Sequence, residues 1–133
     1  MLELCRAKNI ALDLKLFDLT TTPWPYPDSF FDHVMACGVL HFLADLGPVF
    51  GEAARVIAPG GIFAFTTKAP PPGTQNVIEQ TIDGVPVFSH GKSAVDEVIA
   101  RHGFEALKCL RLSVGSGEER PDSFFAFVAR KSG

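Results

Sequence analysis

Residues 53–69 read "AARVIAPGGIFAFTTKA": the end of a helix, a Pro-Gly-Gly reversal and an apolar strand. Just upstream, "ADLGPVFGEAARVI" (44–57) sets Leu46, Val49, Phe50, Ala53, Val56 and Ile57 at three- and four-residue spacing. That spacing gives a helix one apolar stripe, with Glu52 and Arg55 facing away. Pro48 suits the first turn, where its missing N–H costs nothing, and Pro59-Gly60-Gly61 is expected to stop the helix. Before the helix, "FFDHVMACGVL" (30–40) is apolar enough for a buried strand. Strand, helix, strand in that order calls for a parallel pair with a right-handed crossover, and so for an α/β fold.

The flanks extend this unit. "IALDLKLFDL" (10–19) alternates Leu12, Leu14 and Leu16 with Asp13 and Lys15, as a strand with one solvated face does, and ends at Asp18. "TTTPWPYPDS" (20–29) has three prolines and no helical period, so it reads as a loop anchored by Trp24 and Tyr26. Residues 2–9 read as the tail of an uncapped helix. From Ala69 to His90 the pattern is irregular, with a hairpin expected at Asp83-Gly84, a pair that tolerates the positive φ of a tight turn. So long a connection is either a lid-like binding segment or disordered.

Ser93 and Asp96 form a Ser-x-x-Asp capping pattern. It opens a helix with Val95, Val98, Ile99 and His102 inward and Gly103 at its end. "FEALKCLRLSV" (104–114) alternates imperfectly and "SFFAFVAR" (123–130) is apolar nearly throughout. The second of these should lie inside the sheet and the first at its edge. The link "GSGEERPD" is short enough for an antiparallel return.

The bulk numbers bound the function. With 133 residues the chain has the length of one domain, and 47% hydrophobic with 20% charged residues is a globular composition. A net charge of −3 with scattered Lys and Arg gives no field to concentrate nucleic acid. No apolar run approaches the roughly 20 residues that span a bilayer, and "MLELCRAKN" is unlike a secretory leader, so a cytoplasmic chain without a membrane partner is expected. Cys5, Cys37 and Cys109 are too far apart for a zinc knuckle, and buried, reduced thiols are the expectation, with no metal site.

The stretch from "WPYPDSFFD" through "VLHFLAD" and "EAARVIAPGG", followed by "GFEALKCL" and "FFAFVARK", closely resembles the second half of class I S-adenosylmethionine-dependent methyltransferases. It is nearest to the small-molecule type of ubiquinone and menaquinone biosynthesis. The resemblance implies a truncated Rossmann-like methyltransferase fold, a mostly parallel sheet with a C-terminal antiparallel strand. Residues 1–133 would form a single domain equivalent to the C-terminal two thirds of the family's, with 69–90 a lid-like insertion. "MLELCRAKNI" resembles the helix after the family's second strand, so the first strand, its Gly-x-Gly-x-Gly loop and the second strand have no counterpart here. Gly115-Ser116-Gly117 precedes no helix and reads as a turn.

The family's site residues carry over by position. Asp18 matches the acid that accepts the adenine amino group, with Leu19 beside it; a turn-capping aspartate is the other reading of Asp18. Ala36, Cys37 and Gly38 would line the cofactor, although Cys37 also fits plain core packing. His41 faces the methyl-transfer pocket in the family, to assist deprotonation of an acceptor or merely to pack its loop. His90, on the lid, would touch substrate, and His33 and His102 read as structural.

The resemblance implies S-adenosylmethionine as cofactor and a small-molecule acceptor. Without the glycine loop, this chain alone is expected to bind the cofactor at millimolar strength or not at all. The missing strands would leave an exposed sheet edge on the family's fourth strand. Either its third strand slides over to pair there, or a second copy does so in a homodimer. Two functions stand: a small-molecule methyltransferase, or a non-catalytic, methyltransferase-like dimeric interaction module.

Overall fold

The computed structural model describes residues 14–70, 77–114 and 122–132. In chain order it holds β1 (Phe31–Ala36), a 3-10 helix (Leu40–Phe42), α1 (Gly47–Val56), β2 (Ile57–Lys68), β3 (Ile78–Ile82), β4 (Val85–Ser89), α2 (Lys92–Arg101), β5 (Phe104–Val114) and β6 (Asp122–Lys131). β2 is the axis of the sheet. β1 runs parallel along one side of it, β6 antiparallel along the other, and β5 pairs antiparallel outside β6. As expected, the last strand is inside its predecessor. The β3–β4 hairpin reaches β2 through a single parallel bridge, Lys68 to Ser89. The sheet of the described residues is therefore mixed where a mostly parallel one was expected, because the strands after β2 return by hairpins.

The expected stripe of α1 is buried without exception: Leu46, Val49, Phe50, Ala53, Val56 and Ile57 are each at most 3% exposed. It packs on Phe63 and Phe65 of β2, whose rings meet Phe50 at 5.3 and 4.9 Å. Phe65 in turn stacks on Phe127 of β6 at 5.1 Å. Val95 and Ile99 of α2 join the same core. Edge-on ring pairs at these distances add about 0.5–1.5 kcal/mol each to the burial itself. On the opposite face of the sheet, in register with Ala64, Thr66 and Lys68 respectively, Met35, Leu110 and Leu112 are exposed.

Several expectations need correction. Helix α1 ends at Val56, with Ile57 already extended, so Pro59-Gly60-Gly61 interrupts a strand and does not stop the helix. It loops out of the β1–β2 ladder, where pairing jumps from Phe31–Ile57 to His33–Ile62. Gly60 has φ 81°, and a Cβ on Gly61 would stand 2.2 Å from the Asp32 carbonyl oxygen, so only glycine lets β1 approach this closely.

Residues 14–18 carry no ladder among the described residues, and Leu16 is 87% exposed. Phe17 packs instead on Trp24 and Tyr26, at 6.0 and 5.9 Å. β1, with β2 as its one described neighbour, is half-exposed and not buried. Glu52 does not face away: it is buried and holds the proline loop, as described below.

The hairpin turns at Asp83 and Gly84, both at positive φ, the mirror-image geometry that this pair favours. Helix α2 begins one residue before Ser93, with Gly91 as its N-cap, and Asp96 pairs with Lys92. Gly103, at φ 79°, follows its end as expected. The helix tail at 2–9, residues 10–13 of the expected strand, Cys5 and the Gly115–Gly117 turn lie outside the described residues. Among those described, no helix is long and apolar enough to cross a membrane.

Candidate functional site

Along β1, from Phe31 to Cys37, an apolar groove of about 540 Å³ opens between the 17–26 segment, β1 and α1. Leu19, Trp24, Tyr26, Ala36, Cys37 and Leu40 are among its lining residues. Its floor belongs to the core, since Val49, Val56 and Phe63 reach it from α1 and β2. Its wall is the proline loop, and that loop is tied down at several points. Trp24 donates its backbone N–H to Glu52 Oε1 and its indole N–H to the Leu19 carbonyl at 3.0 Å.

Arg55 completes the tie. It donates to Glu52, to Asp28 Oδ1 at 2.9 Å and to the carbonyls of Tyr26 and Trp24. The Arg55 hydrogen bond holds the Glu52 carboxyl below its ordinary range against the opposing effect of burial, with the Trp24 N–H and the Arg55 charge assisting. The Arg55 guanidinium is held above its usual value by Glu52 and Asp28.

Three of the five residues expected at the cofactor, Leu19, Ala36 and Cys37, are brought together in this groove. Asp18 is not. Its Oδ1 accepts from the backbone N–H and hydroxyl of Thr20, at 2.8 and 2.7 Å. These bonds lower its pKa, and it lines a separate hollow with Lys15, Leu16 and Phe17. Gly38, at φ 72°, donates its N–H to Thr66 Oγ1 of β2 at 2.9 Å, which fixes the exit from β1. Cys37 is exposed, not packed in the core, and Cys109 is half-buried.

His41 turns away from the groove. Leu40 lines it, while the next ring meets Phe42 at 4.1 Å and Phe124 of β6 edge-on at 5.9 Å. Burial, then the charge of Lys68, lowers the His41 pKa. Lys68 was missed in the sequence. It ends β2 with a side chain that is 6% exposed and an ammonium 5.6 Å from the Phe124 ring centre. The available signal was a lysine closing an otherwise apolar strand, "IFAFTTK".

Next to it, the buried hydroxyl of Thr67 has no hydrogen-bond partner among the described residues. His90, expected at a substrate, is 2% exposed and bonded inward, its Nε2 2.9 Å from the Leu43 carbonyl oxygen. His33 and His102 have structural bonds. His33 Nδ1 accepts from the Ile62 N–H, and His102 Nδ1 lies 2.9 Å from the Val98 carbonyl at the end of α2. Among the described residues no group of three or more His, Cys, Asp or Glu is arranged to hold a metal ion.

This geometry has known counterparts. A family model described as "Methyltransferase domain" matches residues 1–65. No curated protein matches the sequence. Among solved structures, the (4+2)-cyclase SpnF is similar with a TM-score of 0.76 at 18% identity, over 98% of this chain and 61% of its own.

An S-adenosylmethionine-dependent methyltransferase from Mesorhizobium loti gives 0.71 at 19%, over 96% of this chain and 75% of its own. The 1,6-didemethyltoxoflavin-N1-methyltransferase of Burkholderia thailandensis, solved with 1,6-didemethyltoxoflavin and S-adenosylhomocysteine bound, gives 0.65 at 15%. It is covered over 46% of its length, against 80% of this chain. The present chain thus spans between about half and three quarters of these proteins. The fold of the described residues is one shared with S-adenosylmethionine-dependent methyltransferases, and the methyltransferase-domain model covers just under half of the chain.

Proposed function

We propose that this chain is the carboxyl-terminal part of a methyltransferase site for a small-molecule acceptor, of the kind found in quinone biosynthesis. The observation that carries the reading is the convergence of Leu19, Ala36 and Cys37 on one apolar groove that runs along a parallel strand and reaches its carboxyl end. In open α/β sheets that is the end at which ligands bind. A groove of about 540 Å³ with apolar walls fits a purine ring. Gly38, held by Thr66, presents backbone beside it, and Asp18 is one hollow away, joined through Phe17. S-adenosylmethionine, when bound, supplies a sulfonium methyl group.

What the chain's own residues contribute is orientation and a place for a proton. His41 lies outside this groove, beside Phe124 and Lys68, so it would take a proton only from an acceptor bound on that side of the 3-10 helix. Holding the reacting groups in line supplies most of the rate in such a transfer.

The 133-residue sequence contains no Gly-x-Gly-x-Gly pattern. Without it, about three charge-assisted contacts, on the order of 5–9 kcal/mol, are missing. A micromolar complex has only about 8 kcal/mol in total. We therefore expect S-adenosylhomocysteine to bind this chain at millimolar strength, and to perturb the amide resonances of Leu19, Ala36, Cys37 and Gly38 first. Millimolar additions that leave those four signals in place would remove the cofactor reading, and saturable micromolar binding in calorimetry would remove the claim of a weakened site.

One observation favours the second reading, a non-catalytic module that pairs with itself. β1 has β2 as its one described neighbour, and an open strand edge is a template for another chain. Light scattering separates the two, since a monomer at all accessible concentrations leaves that edge without this use.

A further inference from the structure

We propose that His90 is a positioning residue: its buried ring latches the β3–β4 hairpin to the loop that carries His41, and so sets where His41 stands relative to Lys68 and Phe124. The hairpin needs such a latch. It joins the sheet through one bridge, Lys68 to Ser89, and its residues 79–86 are exposed. His90 follows directly, and its backbone N–H donates to the Lys68 carbonyl at 2.9 Å. Its ring then crosses 47 positions of sequence to the Leu43 carbonyl, also at 2.9 Å. A carbonyl only accepts, so Nε2 is the protonated nitrogen.

Leu43 is the far end of the 3-10 helix, where its own N–H bonds back to the Leu40 carbonyl. Fixing its carbonyl fixes the short segment on which His41 sits. The remaining contacts close a circuit. The His41 ring meets the edge of Phe124, the Lys68 ammonium sits over the same ring, and the Lys68 carbonyl holds His90. Hairpin, helix and strand end are thus linked by one buried imidazole. The chemical purpose of the latch rests on the methyl-transfer reading of His41, but the latch itself does not.

The test needs no cofactor. In the wild-type chain, NMR titration of the imidazole signals is expected to place His41 below the ordinary value of about 6.5. His90→Met removes the donor, and His41 should then titrate back toward that ordinary value as its ring becomes more exposed and leaves Lys68. Backbone amides of the hairpin and of Phe42 and Leu43 should exchange at least tenfold faster together, while those of Ala64 and Phe127 in the central ladder stay protected. His90→Gln, which keeps a donor near the same place, should restore both readouts.

A His41 titration unchanged in His90→Met overturns the proposal. Should that variant fail to fold, the wild type decides. Hairpin and Leu43 amides that open with the same free energy support the latch, and a hairpin that opens while Leu43 stays protected refutes it. Amides of Leu19, Ala36, Cys37 and Gly38 that ignore millimolar S-adenosylhomocysteine while the latch is intact would sink the functional reading alone.

Discussion

The two sides of β2 differ in how they are held. Toward β6 the strand has a long antiparallel ladder and a ring stack, with Phe50, Phe63, Phe65 and Phe127 almost wholly enclosed. Toward β1 it has a parallel ladder broken by Pro59-Gly60-Gly61, and beyond that a strand with Met35 78% exposed and a groove walled by a proline loop. One side is a core that stabilises itself. The other is an edge whose order is borrowed from a few specific ties.

Breaking the core side should have the largest effect. Phe50→Ala removes a ring that touches Phe63, Phe65 and Phe104. It should cost about 3–5 kcal/mol in urea unfolding, with all probes shifting together. On the edge side, Gly61→Ala drives a Cβ into the Asp32 carbonyl. A loss of about 2–3 kcal/mol is expected, with amide exchange accelerated first in β1; equal acceleration in β6 would contradict the division.

The tie of the proline loop is titratable. Glu52 has a folded pKa lowered from 4.5, chiefly by its bonds from Arg55. Above pH 4.5 the carboxylate is ionised whether folded or not, and its contribution is fully present. As the pH falls from there through the folded value, the unfolded chain takes the proton first and that contribution is lost. Trp24, the single tryptophan, reports this by fluorescence. Glu52→Gln should cost about 1.5 kcal/mol at neutral pH, since Asp28 keeps Arg55 paired, and should flatten the acid dependence. The smallest effect belongs to Met35→Ala, within about 0.5 kcal/mol of wild type. Any larger loss at high protein concentration alone would mark Met35 as buried between copies.

The core side was legible in the sequence because its signals are periodic. The α1 stripe, the apolar run of β6 and the mirror-image turn at Asp83-Gly84 each follow from local spacing or backbone preference, and neighbours do not alter them. The edge side was not, because there the partner decides. The leucines of 14–16 alternate like a strand, yet among the described residues they have no ladder and Phe17 packs on aromatics instead. Glu52 looks like a solvated helix residue until Trp24 and Arg55, from two directions, satisfy it. The groove residues Leu19, Ala36 and Cys37 came from resemblance, whereas Lys68 and the Leu43–His90 bond are long-range facts with no local pattern.

The placement of β6 between β2 and β5 bears on how the molecule comes to exist. As ribosomes extend the chain, residues 57–68 emerge more than fifty positions ahead of the segment that pairs with them along the centre of the sheet. Until 122–131 arrives, the phenylalanines of β2 have a helix over them but no flanking antiparallel strand. Deleting that segment would split the sheet through its middle, so folding must wait for it, and a chaperone's hold on the nascent chain is most useful in that interval.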